Sequence, residues 1–292
     1  MTRATTRTTF TDYLEAKQLS PATVYTYGQY IRKFRAWLQE EDLTPDSFTY
    51  NDLLAYMQYC QDSGITKRTV HAVLNMIRHY CQYLITEEER TDNPAAGVFI
   101  QGLVRKLPVN TLSPATLDDL YRQYSLQLQV DDGKKAMLGL LIYQGLATEE
   151  LIRLEAKHIR LNEGNILVKG TKRTGERWLN LQAVQIPRLQ AYLAANKRKA
   201  GSLFAEQKRG CKSPQNIINQ VQWMIKQLKQ LNPNVINAQQ IRSSVITHWL
   251  KRHSLREVQY MAGHKYVSST ARYQTGNLED LQNELHRHHP LK

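Results

Sequence analysis

Between Ala262 and Gln274 the chain reads AGHKYVSSTARYQ, which sets His264 nine residues ahead of Tyr273 across a Ser/Thr-rich step. Short helices on either side of such a step bring an imidazole and a phenol to one point. A phenol held beside cationic donors can attack phosphorus and become a covalent phosphoester. Two residues upstream suit the same chemistry. Lys169 ends a short β-like run, where it is able to protonate a leaving oxygen. Arg242 stands early in QQIRSSVITHWL, and its planar fork is able to clamp two phosphate oxygens. A buried tyrosine and a capping histidine are the plainer reading, and AGHKYVSSTARYQ alone leaves both open.

The elements that must position these groups divide the chain in two. With 292 residues there is room for two compact domains, each with its own core. Residues 1–106 hold 12 Lys and Arg against 12 Asp and Glu; the rest holds 27 against 14, and so carries the whole net charge of +13. An excess of that sign is the usual footprint of a polyanion, whose phosphates are neutralised by Lys and Arg. A basic domain that is merely soluble is the other reading.

No run of eighteen apolar residues is present, so no membrane partner is expected. The start, MTRATTRTTFTDYLEAK, lacks the apolar core of a secretory signal, and Asp12 and Glu15 come too early for a transit peptide. Cys60, Cys81 and Cys211 are too widely spaced for a disulfide framework or a zinc site. A reduced, cytoplasmic protein is the expectation. His286, His288 and His289 cluster near the end without Cys or acidic ligands at metal spacing. There is no Gly-x-x-x-x-Gly-Lys loop. No metal and no cofactor are therefore expected.

The first hundred residues read as a small helical bundle. Ser20-Pro21 is a cap followed by proline at the first helical position, and Tyr27, Ile31, Phe34 and Leu38 recur at helical spacing. Asn51 is the expected cap of the next helix and Gly64 its end, and Thr66 is the expected cap of a third. Lys67, Arg68, His71 and Arg78 fall on or near the polar side of that third helix, where they can meet a DNA backbone or simply be solvated. Asn93-Pro94 breaks the pattern, and a linker is expected over about 93–112, placing one domain at 1–107 and the other at 113–292.

Ser113-Pro114 opens the second domain, with helices expected near 114–126, 132–145 and 148–154 around a turn at Gly145. The period then switches. Asn165–Val168 and Arg177–Leu181 are short β-like runs flanking GTKRTG, a hairpin whose tip carries Lys172 and Arg173. Helices are expected again at about 182–196, 214–230, 239–250, 254–262 and 276–287. His248, inside an apolar helix, reads as a satisfied core histidine.

In this order the motifs resemble those of the tyrosine recombinases, the phage-integrase family, and among them its compact Xer-like members. The resemblance covers nearly the whole chain: LSPATVYTYGQYIRKFRAWL, GITKRTVHAVLNMIRHYCQYL and NPA, then GLATEEL, VKGTKR, QQIR, MAGH and the late tyrosine. It implies a mainly α fold with a small β-hairpin or sheet. An N-terminal helical, SAM-like core-binding domain would precede an α+β catalytic domain, the two forming a C-shaped clamp on double-stranded DNA. It further implies cutting and rejoining of DNA through a 3′-phosphotyrosyl bond at Tyr273, with Lys169 as general acid toward the 5′ oxygen. Arg242 would be the second arginine of the site and His264 the histidine that bonds the scissile phosphate. Glu150 would support the site from the helix of the first arginine. Four protomers on two DNA sites, joined through the tail 274–292 and with a partner recombinase as a variant, complete the expectation. Leu278, Leu281 and Leu285 give that tail an apolar stripe.

Two positions depart from the family. Its motif G-L-R-x-x-E-L is here Gly145-Leu146-Ala147-Thr148-Glu149-Glu150-Leu151, and its H-x-x-R is Gln239-Gln240-Ile241-Arg242. An arginine and a histidine that act on the phosphate are thus Ala147 and Gln239. Removing one preorganised donor typically costs roughly 10²–10³ in rate. Arg153 lies six residues on from Ala147, about 600° around an ideal helix and on a different face. Three readings stay open: an active site-specific recombinase or integrase, a catalytically weakened member serving as a DNA-binding accessory or regulator, and a type IB topoisomerase-like relaxing enzyme.

Overall fold

The computed structural model describes residues 8–102, 110–196, 201–204 and 213–274. The chain divides into two compact units, Met1–Arg105 and Lys106–Lys292. The first carries helices α1 (Phe10–Ala16), α2 (Pro21–Glu40), α3 (Tyr50–Asp62) and α4 (Lys67–Thr86). Ser20 and Thr66 cap α2 and α4 as their sequence suggests. Helix α3 is capped by Thr49 and not by Asn51, because Thr49 forms a capping box with Asp52, whose carboxylate accepts the Thr49 N–H at 2.7 Å. The same device, Thr9 with Asp12, starts α1, which the periodicity did not reveal. Phe34, Phe48, Leu53, Leu74, Ile77 and Tyr80 lie in the core of this unit.

Of the four residues expected to meet DNA here, Lys67 and Arg68 are exposed on the first turn of α4, and His71 is half-buried, accepting from Asn75. Arg78 is also engaged within its own unit. Its guanidinium donates to the carbonyls of Ala95 and Val98 and to the side chain of Asn75, so the fork clamps the segment after α4 within its own unit.

The second unit opens with α5 (Pro114–Leu126), α6 (Asp132–Tyr143) and α7 (Thr148–Arg153). Three strands follow, β1 (Ile159–Arg160), β2 (Asn165–Val168) and β3 (Arg177–Asn180). Then come α8 (Ile186–Ala195), α9 (Ser213–Leu231), α10 (Ala238–Leu250) and α11 (Leu255–Ala262). The strands form one antiparallel sheet in the order β1-β2-β3, with Val168 opposite Arg177 and Asn165 opposite Asn180. The expected hairpin thus gains a third strand, two residues long. Helix α8 starts at Ile186 after a 3-10 turn at Ala183–Gln185, later than the expected 182, and Pro187 sits in its first turn, where no N–H is needed.

Helix α6 is buried along most of its length, in a core shared with Leu120, Tyr124, Leu189, Met224 and Ile241. His248 is satisfied, its Nε2 bonded to the Leu112 carbonyl at 2.6 Å. Among the described residues no helix is long and apolar enough to cross a membrane. The helix expected over 276–287, the tail leucines and histidines, and Cys211 lie outside the described residues.

Candidate active site

Arg242 sits one turn into α10 on its buried side, and its guanidinium donates to three acceptors. Nη1 bonds the Gly145 carbonyl and reaches Oε2 of Glu150 at 3.3 Å, while Nη2 donates to the Ala262 carbonyl at 2.6 Å. The arginine thereby ties α10 to the turn before α7 and to the end of α11. Glu150 faces it from α7, with its side chain fully buried. Burial alone would raise this carboxyl, but hydrogen bonds and charge from Arg177, then the charge of Arg242, hold it below the usual carboxylate range.

Arg177 was not singled out by its sequence. It opens β3, and alternation along that strand turns Arg177 and Leu179 inward and Trp178 and Asn180 outward. Its fork meets Glu150 in two bonds, Nη1 to Oε1 at 2.7 Å and Nη2 to Oε2 at 3.2 Å, and its Nε donates to the Met261 carbonyl at 2.7 Å. The signal that could have found it is an arginine sharing a face with Leu179 in a strand with one buried side.

Ala147 is the N-cap of α7, and its backbone N–H donates to Oε2 of Glu150 at 2.8 Å. The position where the family motif has an arginine is therefore one carboxylate away from Arg177. Gln239 is exposed on the first turn of α10, its amide 3.4 Å from the Ser243 hydroxyl. Arg153 is engaged elsewhere, donating to the Gly170 carbonyl at 2.9 Å.

His264 follows the left-handed turn at Gly263 (φ 69°) that ends α11. Its Nδ1 is 2.8 Å from the Thr270 hydroxyl. Desolvation, and then the charges of Arg242, Arg272 and Arg177, push the imidazole down to about 4, so it is neutral at physiological pH. Residues 267–274 are helical and carry Tyr273, which is 7% exposed and packs on Ile246, Val258 and Ala262. The His264 and Tyr273 rings lie near-parallel, with centroids 6.0 Å apart. Arg272, beside the tyrosine, has a buried Nε with no hydrogen-bond partner.

Lys169 leaves β2 exposed, its ammonium 2.5 Å from the carboxylate of Glu176. The loop beyond is stiff. Thr171 and Thr174 are buried and bonded to each other, and this arrangement leaves Lys172 and Arg173 exposed. Replacing Gly170 would require the loop to shift, since a Cβ would stand 2.7 Å from the Thr174 carbonyl. The far side of the loop is pinned to the histidine turn: the Gly175 N–H donates to the Gly263 carbonyl at 2.8 Å, and Thr174 bridges to His264.

Gly263 is the tightest point. A Cβ there would lie 2.5 Å from Nη1 of Arg177 and would force a side chain into the left-handed region. Gly263→Ala is expected to cost about 1–3 kcal/mol, the usual penalty of such a backbone position. Urea unfolding measures this, and an unchanged midpoint would mean that the turn relaxes without strain.

The Phage integrase family model matches residues 116–279, and the model of the phage integrase N-terminal SAM-like domain matches residues 8–88. The chain is similar to tyrosine recombinase XerD of Shewanella oneidensis, 28% identical over 287 residues that cover 96% of this chain and 94% of that protein. It is also similar to tyrosine recombinase XerA of Pyrococcus horikoshii, 27% identical over 286 residues that cover 95% and 91%. In fold it is similar to the XerH site-specific recombinase bound to palindromic difH substrate, with a TM-score of 0.71 at 19% identity over 94% of this chain and 82% of that one. A lambda integrase dimer bound to a COC′ core site gives 0.65 at 15% identity over 90% and 92%.

Proposed function

Because this chain belongs to the phage integrase family, we propose that it is a site-specific DNA recombinase working through a covalent phosphotyrosine. One observation carries the reading: the Tyr273 phenol is packed beside a neutral imidazole and in the field of a buried Arg242–Glu150–Arg177 cluster. A phenol so placed has little use in the fold that a phenylalanine would not serve.

In the first step the Tyr273 oxygen attacks the scissile phosphorus, the bond to the 5′ oxygen breaks, and a 3′-phosphotyrosyl ester forms. Lys169 protonates the leaving 5′ oxygen. The phenolic proton leaves to water, since Gln239 is an amide and His264 is too weakly basic to hold it. Arg242 supplies positive charge to the nonbridging oxygens, and neutral His264 can donate one hydrogen bond to them. Charge stabilisation and positioning are the main levers in phosphoryl transfer. A 5′ hydroxyl from a second duplex then reverses the step, so the ester conserves the energy of the broken bond and no nucleotide or metal is consumed.

Lys67, Arg68, Lys172 and Arg173 are assigned to the DNA backbone. They are exposed, and contacts of that kind position a duplex without reading its sequence. The working assembly is four protomers on two DNA sites, joined through the tail after Tyr273, acting on DNA in the cytoplasm.

A pool of nicked duplexes with randomised sequence tests the reading without a known site. Wild-type protein is expected to retain DNA after denaturation, the recovered sequences converging on one site, and Tyr273→Phe to retain none. DNA binding without any adduct at high protein concentration would leave an accessory role. Adducts spread over all sequences would point to a relaxing enzyme.

A further inference from the structure

The short helix that carries Tyr273 also carries an arginine that no described part of the fold engages. Arg272 precedes the tyrosine, about 100° away from it around the helix. Its Nε is buried without an acceptor, and no hydrogen bond or ion pair joins its guanidinium to another described residue. The other arginines around the site are committed. Arg177 is bound to Glu150 and the Met261 carbonyl, and Arg153 donates to the Gly170 carbonyl. Arg242 shares its fork among the Gly145 and Ala262 carbonyls and Glu150.

An arginine left in this state costs the fold stability. A buried donor with no acceptor has lost its water without return, and no described carboxylate offsets the charge. Buried polar groups are rarely left unpaired, and a bound ion, a water or a catalytic role is the usual explanation.

Position narrows the ligand to a phosphate beside the nucleophile. Arg272 is half-buried, and Ser268, one turn earlier on its side of the helix, is exposed, so the side chain lies at the rim of the pocket. Among the charges that act on the His264 imidazole, Arg272 comes after Arg242 and ahead of Arg177. Nδ1 of that imidazole is bonded to Thr270, which leaves Nε2 for a phosphate oxygen. A phosphate held between Nε2 and the Tyr273 hydroxyl is within reach of a guanidinium one residue away, whose planar fork suits its oxygens. The charge count agrees. Arg177, Arg242 and Glu150 sum to one positive charge. A phosphodiester carries one negative charge, and attack by a phenolate brings a second.

We propose that Arg272 is a further catalytic residue, its guanidinium binding a nonbridging oxygen of the scissile phosphate and supplying the positive charge absent at Ala147. It transfers no proton; it binds the charge that develops as Tyr273 displaces the 5′ oxygen. The proposal rests on the recombinase reading.

The test measures single-turnover adduct formation with full-length protein on the nicked duplex recovered by adduct selection. A wild type that forms no adduct sinks the recombinase reading and this proposal with it; every other outcome concerns Arg272 alone. Arg272→Met is expected to slow the adduct by roughly 10²-fold, the scale of one lost preorganised group. Its urea midpoint is expected to be no lower than that of wild type, since methionine keeps the apolar stem and removes an unpaired donor. On a duplex with a neutral methylphosphonate at the cleaved position the deficit is expected to shrink at least about tenfold, because the charge that Arg272 answers is gone.

A deficit below about tenfold on the natural phosphate overturns the proposal. So does a deficit of equal depth on both phosphates, which would mark a structural arginine or one that holds a neighbouring phosphate. An acid of the tail is the rival partner. Glu279→Gln, Asp280→Asn and Glu284→Gln combined are expected to leave the rate within about threefold of wild type. If that variant reproduces the Arg272→Met deficit and the two losses do not add, Arg272 serves the tail and the proposal falls. Should Arg272→Met fail to fold, Arg272→Lys decides. It keeps the charge without the fork, so a rate within about tenfold of wild type is expected, and a larger loss in a folded protein overturns the proposal.

Discussion

Glu150→Ala is expected to lower the stability of the protein by about 3–5 kcal/mol, the usual effect of removing one member of a buried ionic cluster. The size follows from how much the carboxylate holds. It accepts from Arg177 twice, from Arg242 once and from the Ala147 backbone, and its own side chain has no exposure. Alanine would strand two buried guanidinium groups beside each other with no counter-charge. Against a typical stability of about 5–15 kcal/mol, that is a large share. Glu150→Gln keeps one acceptor oxygen and is expected to lose less. Urea unfolding of both variants measures the difference, and a loss below about 1 kcal/mol for Glu150→Ala would mean that water or a rearranged loop satisfies the arginines.

Lys169→Met is expected to leave the fold intact and to slow strand cleavage by about 10²–10⁴, the range for a positioned general acid. The lysine is exposed, and its pairing with Glu176 is a surface contact worth little to stability. In the proposed mechanism its work is confined to the leaving group. A substrate with sulfur in place of the 5′ bridging oxygen leaves as a thiolate and needs no proton, so on that substrate the variant is expected to approach wild type. Single-turnover adduct formation on the two substrates gives the comparison. Equal deficits on oxygen and sulfur would remove the acid role and leave Lys169 as a phosphate contact.

Much of the site was legible because its members sit in local motifs. His264 follows the glycine that ends α11, Tyr273 lies one short helix later, and Lys169-Gly170 marks the strand end, each a signal within a few residues. Arg177 was not legible in the same way. Nothing beside it in sequence says that it will meet Glu150, twenty-seven residues back and on another element. Only the alternation of β3 hints that it points inward.

Arg78 shows the same limit from the other side. It reads as a polar-face cation, and the carbonyls it clamps belong to a segment about twenty residues on with no periodicity of its own. The start of α3 was open to a better reading. Thr49 and Asp52 have capping-box spacing, a stronger signal than the nearby Asn51. Strand β1, at two residues, is too short for any period to show.

The bonds from Gly175 to Gly263 and from Thr174 to His264 bear on timing. They join the hairpin that carries the proposed acid to the turn that carries the imidazole, so a movement of one is coupled to the other. A half-assembled pocket, able to attack but not to release the severed end, is thereby disfavoured. In the proposed assembly of four protomers, a subunit whose joint between loop and helix is undone would be silent as a whole.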